Sequence, residues 1–253
     1  MPNNVEHYQA IIDKTRYYPF EGATSQIGGY LEIGPGRHWI TGLRVYTRTV
    51  IKCHPHAIIS NDGSAPTITS TGTTSDVRVS GGLWTGNDRL WYHDDEGEGR
   101  SLSECLFDRM NVQTVAGWVL NSTHRCKFRD INAACLGPVY FFSSSRQCNA
   151  NMIDDGNIQS CASAAIIIHH GVANRISCRM EAFRPSSEPA ILLGRRSQQT
   201  KIRDVYLEAL NRAHAIAGAG SAVIEGCYAA HGTTTGPTVD LGDWTGRDNL
   251  GFV

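Results

Sequence analysis

Two short apolar segments alternate along most of the chain, each ending in small or polar residues. One series reads Gly117-Trp118-Val119-Leu120-Asn121, Val139-Tyr140-Phe141-Phe142-Ser143 and Ala165-Ile166-Ile167-Ile168-His169. It continues as Ala190-Ile191-Leu192-Leu193-Gly194, His214-Ala215-Ile216-Ala217-Gly218 and Thr238-Val239-Asp240-Leu241-Gly242. Its last positions, 121, 143, 169, 194, 218 and 242, are 22, 26, 25, 24 and 24 residues apart. The second series is led by Val79, Phe107, Phe128, Ile153, Ile176, Ile202 and Ile224, at intervals of 28, 21, 25, 23, 26 and 22. The shared period of about 24 residues marks a stack of like units. Helical repeats are longer, about 33 to 47 residues, and the fixed leucine pattern of leucine-rich repeats is absent. Short strands with Gly, Ser and Asn at the bends predict an all-β chain. Its expected form is a right-handed, single-stranded parallel β-helix, with coils roughly 4.8 Å apart that cover one another's apolar faces.

Ahead of the clear coils, Tyr30-Leu31-Glu32-Ile33-Gly34-Pro35-Gly36 precedes Thr41-Gly42-Leu43-Arg44-Val45, Thr49-Val50-Ile51-Lys52-Cys53 and Ala57-Ile58-Ile59-Ser60. This entry resembles the pectate-lyase-like superfamily, as found in bacteriophage tailspikes and related polysaccharide depolymerases. There a strand, a Pro-Gly turn and a Gly-Leu-x-Val segment lead into the first coils. The resemblance implies a polysaccharide partner, a parallel homotrimer and a place on a virion tail or outside the cell. It is a fold signature and does not name a reaction. Residues 28–242 are expected to form the β-helix. Residues 1–27 form an N-terminal cap, with Val5, Tyr8, Ile11, Ile12 and Thr15 at helical spacing, and residues 243–253 a C-terminal cap or tail.

Composition narrows the partners. Lys and Arg (23) nearly cancel Asp and Glu (24), so no global field draws nucleic acid or an acidic membrane. The longest aliphatic run, residues 164–168, is far below the roughly 20 residues of a membrane span, so no membrane insertion is expected. The N-terminus lacks the basic-then-apolar pattern of a signal peptide, which implies synthesis in a reducing cytosol. The eight cysteines stand singly, as buried thiols do, and not as a disulfide or zinc framework.

Aligning the second series sets out two outward columns, with a one-residue slip near Ile176. The first reads Asn111, Asn132, Asn157, Arg179, Tyr206 and Tyr228; the next reads Gln113, Ala134, Gln159, Glu181 and Glu208. The strip has amides and aromatics and no large aliphatic side chain, a composition suited to hydroxyl-rich sugars. Two readings stand side by side: solvated β-helix surface, or a site. As a site, Glu181 and Glu208 on adjacent coils are the acid and the base or nucleophile of a glycoside hydrolase, since like charges at coil spacing drive two protonation states apart. Alternatively, Arg179 neutralises a uronate and Tyr206, its pKa lowered by that cation, is the base of a lyase.

A second candidate is residues 86–100, read as a loop protruding from a lengthened coil. There Trp91 and Tyr92 are expected to stack on sugar rings. Asp94, Asp95 and Glu96 offer acid/base groups or a weak Ca²⁺ site, or else the loop packs on a trimer neighbour. No other cofactor or metal is expected; Cys53-His54-Pro55-His56 is too sparse a donor set. Asp130, Asp155 and Asp204 align at a bend. His169-His170 with Arg195 and Arg196 forms either an anion-binding or a solvated corner. The functions weighed are a polysaccharide lyase or glycoside hydrolase, a non-catalytic carbohydrate- or receptor-binding β-helix, and a structural trimer segment.

Overall fold

The computed structural model describes residues 4–15, 28–94, 100–143, 146–230 and 233–252. One helix, Val5–Thr15, precedes a solenoid whose strands pair in parallel with the coil before and the coil after. Each coil crosses three long sheets in turn. The first sheet begins with Gly29–Ile33, Thr49–Cys53 and Arg78–Ser80, and passes through the leading halves of Leu106–Gln113, Lys127–Ala133, Met152–Gln159 and Arg175–Glu181. The trailing halves of those four strands belong to the second sheet, which ends in Tyr206–Glu208 and Tyr228–Ala229. The third sheet runs from Leu43–Arg44 through Ile68–Thr71, Arg89–Asp94, Ala116–Leu120 and Tyr140–Phe142 to residues 239–241. A fourth, short sheet joins Thr74–Ser75, Leu102–Ser103, Thr123–His124 and Cys148–Asn149. The architecture is a parallel β-helix, as the period of about 24 residues predicts.

Alternation of side chains along each strand puts one set inside. Phe107 stacks on Phe128 with ring centroids 4.9 Å apart, and Trp118 on Tyr140 at 5.3 Å. Toward the C-terminus this column gives way to Ile166, Ile168, Ile191 and Leu193, all fully buried. All eight cysteines are buried and free, and burial pushes the thiols of Cys53, Cys161 and Cys178 up to about 12. Arg212 is buried as well; its two terminal nitrogens donate to the carbonyls of Glu188, Cys161 and Ser163 at 2.8 to 3.0 Å, while Nε has no partner among the described residues.

Six coils turn the corner between the first and second sheets through a left-handed residue, whereas Cys178 turns it without one. Arg109, Asp130, Asp155 and Asp204 hold it at φ 51°, 51°, 52° and 53°, and Gly81 and Gly226 take the same place. Asp is among the residues that visit this region most easily, so the aligned aspartates mark the bend. Opposite Cys178 stand two residues, Asp155 and Gly156. This bulge is the slip seen in the sequence near Ile176. A side chain at Gly156 would meet the Ile131 carbonyl at 2.5 Å.

The helix closes the first coil through polar side chains as well as through buried Tyr8 and Ile12. Asn4 Oδ1 accepts from the Trp39 N–H at 3.1 Å, Gln9 Oε1 from Arg44 N–H at 2.8 Å, and Thr15 Oγ1 from Tyr30 N–H at 2.9 Å. One edge group in each of the three sheets is thereby satisfied, which blunts an edge that would otherwise pair with other chains. At the far end the expectation of a separate cap after residue 242 is corrected. Val239–Arg247 is a strand of the last coil, paired with Ile216–Glu225, and Leu250 still bridges to Tyr228.

Replacing Phe128 by Ala removes a ring from the centre of the stack and is expected to destabilise the solenoid by about 3–5 kcal/mol. Phe141→Ala on the outward side of the same solenoid is expected to cost far less. Urea unfolding followed by circular dichroism measures both.

Candidate functional site

The strip predicted from the sequence lies on the second sheet with the register expected. Asn111 pairs with Asn132, Asn132 with Asn157, Asn157 with Arg179, Arg179 with Tyr206 and Tyr206 with Tyr228. Beside that column, Gln159 pairs with Glu181 and Glu181 with Glu208. At its N-terminal end Asn111 opens onto a depression of about 550 Å³ that is also lined by Lys52, Ser80 and Arg109.

The charged part of the strip is one connected network. Glu181 accepts from Asn157 Nδ2 at 3.0 Å through Oε1 and from Arg179 Nε at 2.9 Å through Oε2. Arg179 also reaches toward Glu208, at 4.0 Å, and its guanidinium lies over the Tyr206 ring, 4.9 Å from the centroid. The Tyr206 hydroxyl donates to Glu208 Oε2 at 2.8 Å, and its ring stacks on Tyr228 at 5.3 Å. The two glutamates therefore do not face each other as bare like charges, because Arg179 sits between them as counter-ion. Each oxygen of Glu181 accepts from a neighbouring donor, Asn157 on one side and Arg179 on the other.

Tyr206 departs from the lyase expectation. The nearby guanidinium does favour its ionised form, but the hydrogen bond to Glu208 and the burial of the hydroxyl outweigh it, and the phenol is held above its usual value of 10.0. A donor to a carboxylate is a poor proton acceptor at neutral pH.

No protein-family model matches the chain, and no curated protein matches it in sequence. Among solved structures, ORF18 of Geobacillus virus E2 superposes with a TM-score of 0.54 at 10% identity, over 98% of this chain and 59% of that one. The likeness is one of fold, and the fold is the parallel β-helix. The chain thus spans less than two thirds of the viral protein it matches. Weaker likenesses are the A-module of the Azotobacter vinelandii mannuronan C-5 epimerase AlgE4 (TM-score 0.41, 10% identity, 100% and 92% of the two chains) and PfbA, a surface adhesin of Streptococcus pneumoniae (0.45, 9%, 99% and 90%).

Within this β-helix the second candidate changes character. Arg89–Asp94 is not a protruding loop but a strand of the third sheet, with Trp91 in register with Ile68 and Trp118. Trp91 is 1% exposed, donates from Nε1 to Ser70 Oγ at 3.0 Å and packs edge-on against Phe107. It is a core residue and not a sugar platform. Tyr92 points outward with Arg89 over its ring at 5.3 Å, while Asp95 and Glu96 lie outside the described residues.

Sequence reasoning missed two ion clusters beside the strip. Asp108 accepts from Arg109 Nε and Arg129 Nε, each at 2.8 Å, and these cations hold its carboxyl below the usual range. Glu225 is clamped likewise between Arg203 and Arg247. The signal was present in Phe107-Asp108-Arg109 and Phe128-Arg129-Asp130, whose charges swap order between paired coils.

If Glu208 raises the Tyr206 phenol, Glu208→Gln is expected to bring it down toward 10. A ¹³C-tyrosine NMR titration, with Tyr206→Phe for assignment, checks this. An unchanged midpoint would remove Glu208 as the cause.

Proposed function

We propose that the protein is a carbohydrate-binding β-helix that holds an extended extracellular polysaccharide along its second sheet. The supporting observation is the in-register run Asn132, Asn157, Arg179, Tyr206, Tyr228 with Gln159 beside it. Each successive coil offers a polar or aromatic side chain to a hydroxylated ring. The stacking of Tyr206 on Tyr228 fixes both rings without a ligand, so little side-chain entropy is lost on binding. A place on a virion tail or outside the cell fits this reading. So does a homotrimer, in which a neighbouring copy would wall the open strip.

A polysaccharide depolymerase is the second reading, and Glu208 favours it. Its side chain is 46% exposed and only Oε2 is engaged, by Tyr206. Hydrolysis would give Glu208 the acid–base role with Glu181 across Arg179. β-Elimination would give Arg179 the uronate and Tyr206 the proton, against which stands its raised phenol.

The test is incubation with a panel of neutral and uronate-containing polysaccharides, following retention, reducing ends and the ultraviolet absorbance of unsaturated uronate together. Retention without either product is expected, and Tyr228→Ala is expected to weaken it about tenfold. New reducing ends lost in Glu208→Gln would instead establish the hydrolase, and absorbance lost in Tyr206→Phe the lyase. No retention on any polymer would overturn the carbohydrate reading.

A further inference from the structure

A second surface, on a different face of the solenoid, gathers basic side chains. Two adjoining depressions lie along the corner between the third and fourth sheets. One, of about 490 Å³, is lined by Gln147, His170, Val172, Arg195, Arg196 and Gln198. The next, of about 300 Å³, shares Gln147 and His170 and adds Arg100, His124 and Arg146 with two serines. Among the described residues no carboxylate lines either one.

This is the reverse of what the first two sheets do with arginine. There Arg109 and Arg129 meet Asp108, Arg203 and Arg247 meet Glu225, and Arg179 meets Glu181. Arg195 and Arg196 are exposed and form no ion pair with any described residue. The local field also acts on the imidazoles. Burial, and after it Arg196, pushes His170 below the usual 6.5; burial and Arg125 do the same to His124.

The arrangement is linear. Leu102 pairs with Thr123 and Thr123 with Cys148, while on the following coils His170 pairs with Arg196 and Val172 with Gln198. Arg100, His124, Arg146, His170 and Arg196 thus belong to five successive coils. Four intervals of about 4.8 Å span about 19 Å, with arginines on the first, third and fifth of these coils and neutral imidazoles between them. A single small anion needs no such length, whereas a chain with anionic groups at regular intervals does. Guanidinium groups match carboxylate and sulfate oxygens through paired hydrogen bonds. No Trp, Tyr or Phe lines either depression, so the stacking platforms on which single-stranded nucleic acid binds are missing. Gln147, Gln198 and the serines instead offer donors and acceptors for hydroxyl groups.

We propose that this corner is a binding groove for an acidic polysaccharide, lying along the solenoid axis with its carboxylates or sulfates on Arg195, Arg196, Arg146 and Arg100. The groove goes beyond the strip on the second sheet and does not depend on it.

Fluorescence titration of the full chain with labelled oligogalacturonate, a dextran sulfate oligomer, neutral dextran and a dT oligonucleotide tests it. Expected is salt-sensitive binding of one or both acidic glycans and none of dextran. Arg195→Ser/Arg196→Ser is expected to weaken that binding at least about tenfold, and so is Gln198→Glu, which adds a negative charge to an exposed position. The galacturonate and sulfate arms distinguish the two sources of anion. Lys127→Ser, which removes an exposed cation of the first sheet outside both surfaces, is expected to leave the affinity unchanged. Unfolding midpoints confirm that the variants remain folded, and Gln198→Glu keeps the test open should the double substitution not fold. Binding of neither acidic glycan overturns the proposal. So does affinity unchanged by both groove variants, an equal loss in Lys127→Ser, or tighter binding of the oligonucleotide than of either glycan.

Discussion

Parallel, in-register stacking is the constraint on which the rest of this structure depends. Each residue on one coil has its counterpart about 4.8 Å away on the next, so a favourable side chain is favourable in a column and an unfavourable one is repeated at contact distance. Inside, that rule produces the Phe107–Phe128 and Trp118–Tyr140 stacks. At the corner a left-handed residue recurs on six coils, among them those of Asp130, Asp155 and Asp204 and of Gly81 and Gly226. Outside, a column of one charge would repel itself, and Asp108 and Glu225, each between two arginines, are the local solution.

The same rule makes the exceptions informative. On the second sheet the charges are balanced within a network of Asn157, Glu181, Arg179, Glu208 and Tyr206, in which each oxygen of Glu181 accepts a hydrogen bond. At the corner after the third sheet, Arg195 and Arg196 have no such partner. A chain whose formal charge is only −1 therefore leaves two adjacent arginines without a counter-ion among the described residues at one corner, which whole-chain arithmetic conceals.

The fold was legible because periodicity survives without any knowledge of contacts. Even the slip near Ile176 could be read from the spacing, and it corresponds to Asp155 and Gly156 opposite Cys178. Trp91 was misread although its signal was there. Leu90-Trp91-Tyr92-His93-Asp94 is one more copy of the third-sheet series, in register with Trp118, and the long interval between Val79 and Phe107 was assigned to a loop when much of it is strand. The columns of the strip were legible for the same reason as the fold. Their chemistry was not, because register says which residues are neighbours but not which way a long side chain turns. That Arg179 reaches back to Glu181 while covering Tyr206, and that the Tyr206 hydroxyl donates a hydrogen bond to Glu208, depends on side-chain direction across coils.

Openness bears on what such a surface can do. Electrostatic catalysis draws its strength from donors and charges held where water is excluded, and the strip lies on a sheet face with Arg179 53% and Glu208 46% exposed. A carboxylate there faces solvent of high dielectric, and its neighbours are already paired. Binding asks less of the site. A polymer that meets one modest contact per coil gains through the number of contacts, each raising the effective concentration for the next, and a rigid ladder of amides and stacked tyrosines provides those contacts without reorganising. Cleavage on the same strip would need a wall to exclude water, and a second chain against the second sheet is the simplest source of one. On the proposed reading, an open face of this kind is suited to holding a glycan more than to cutting one.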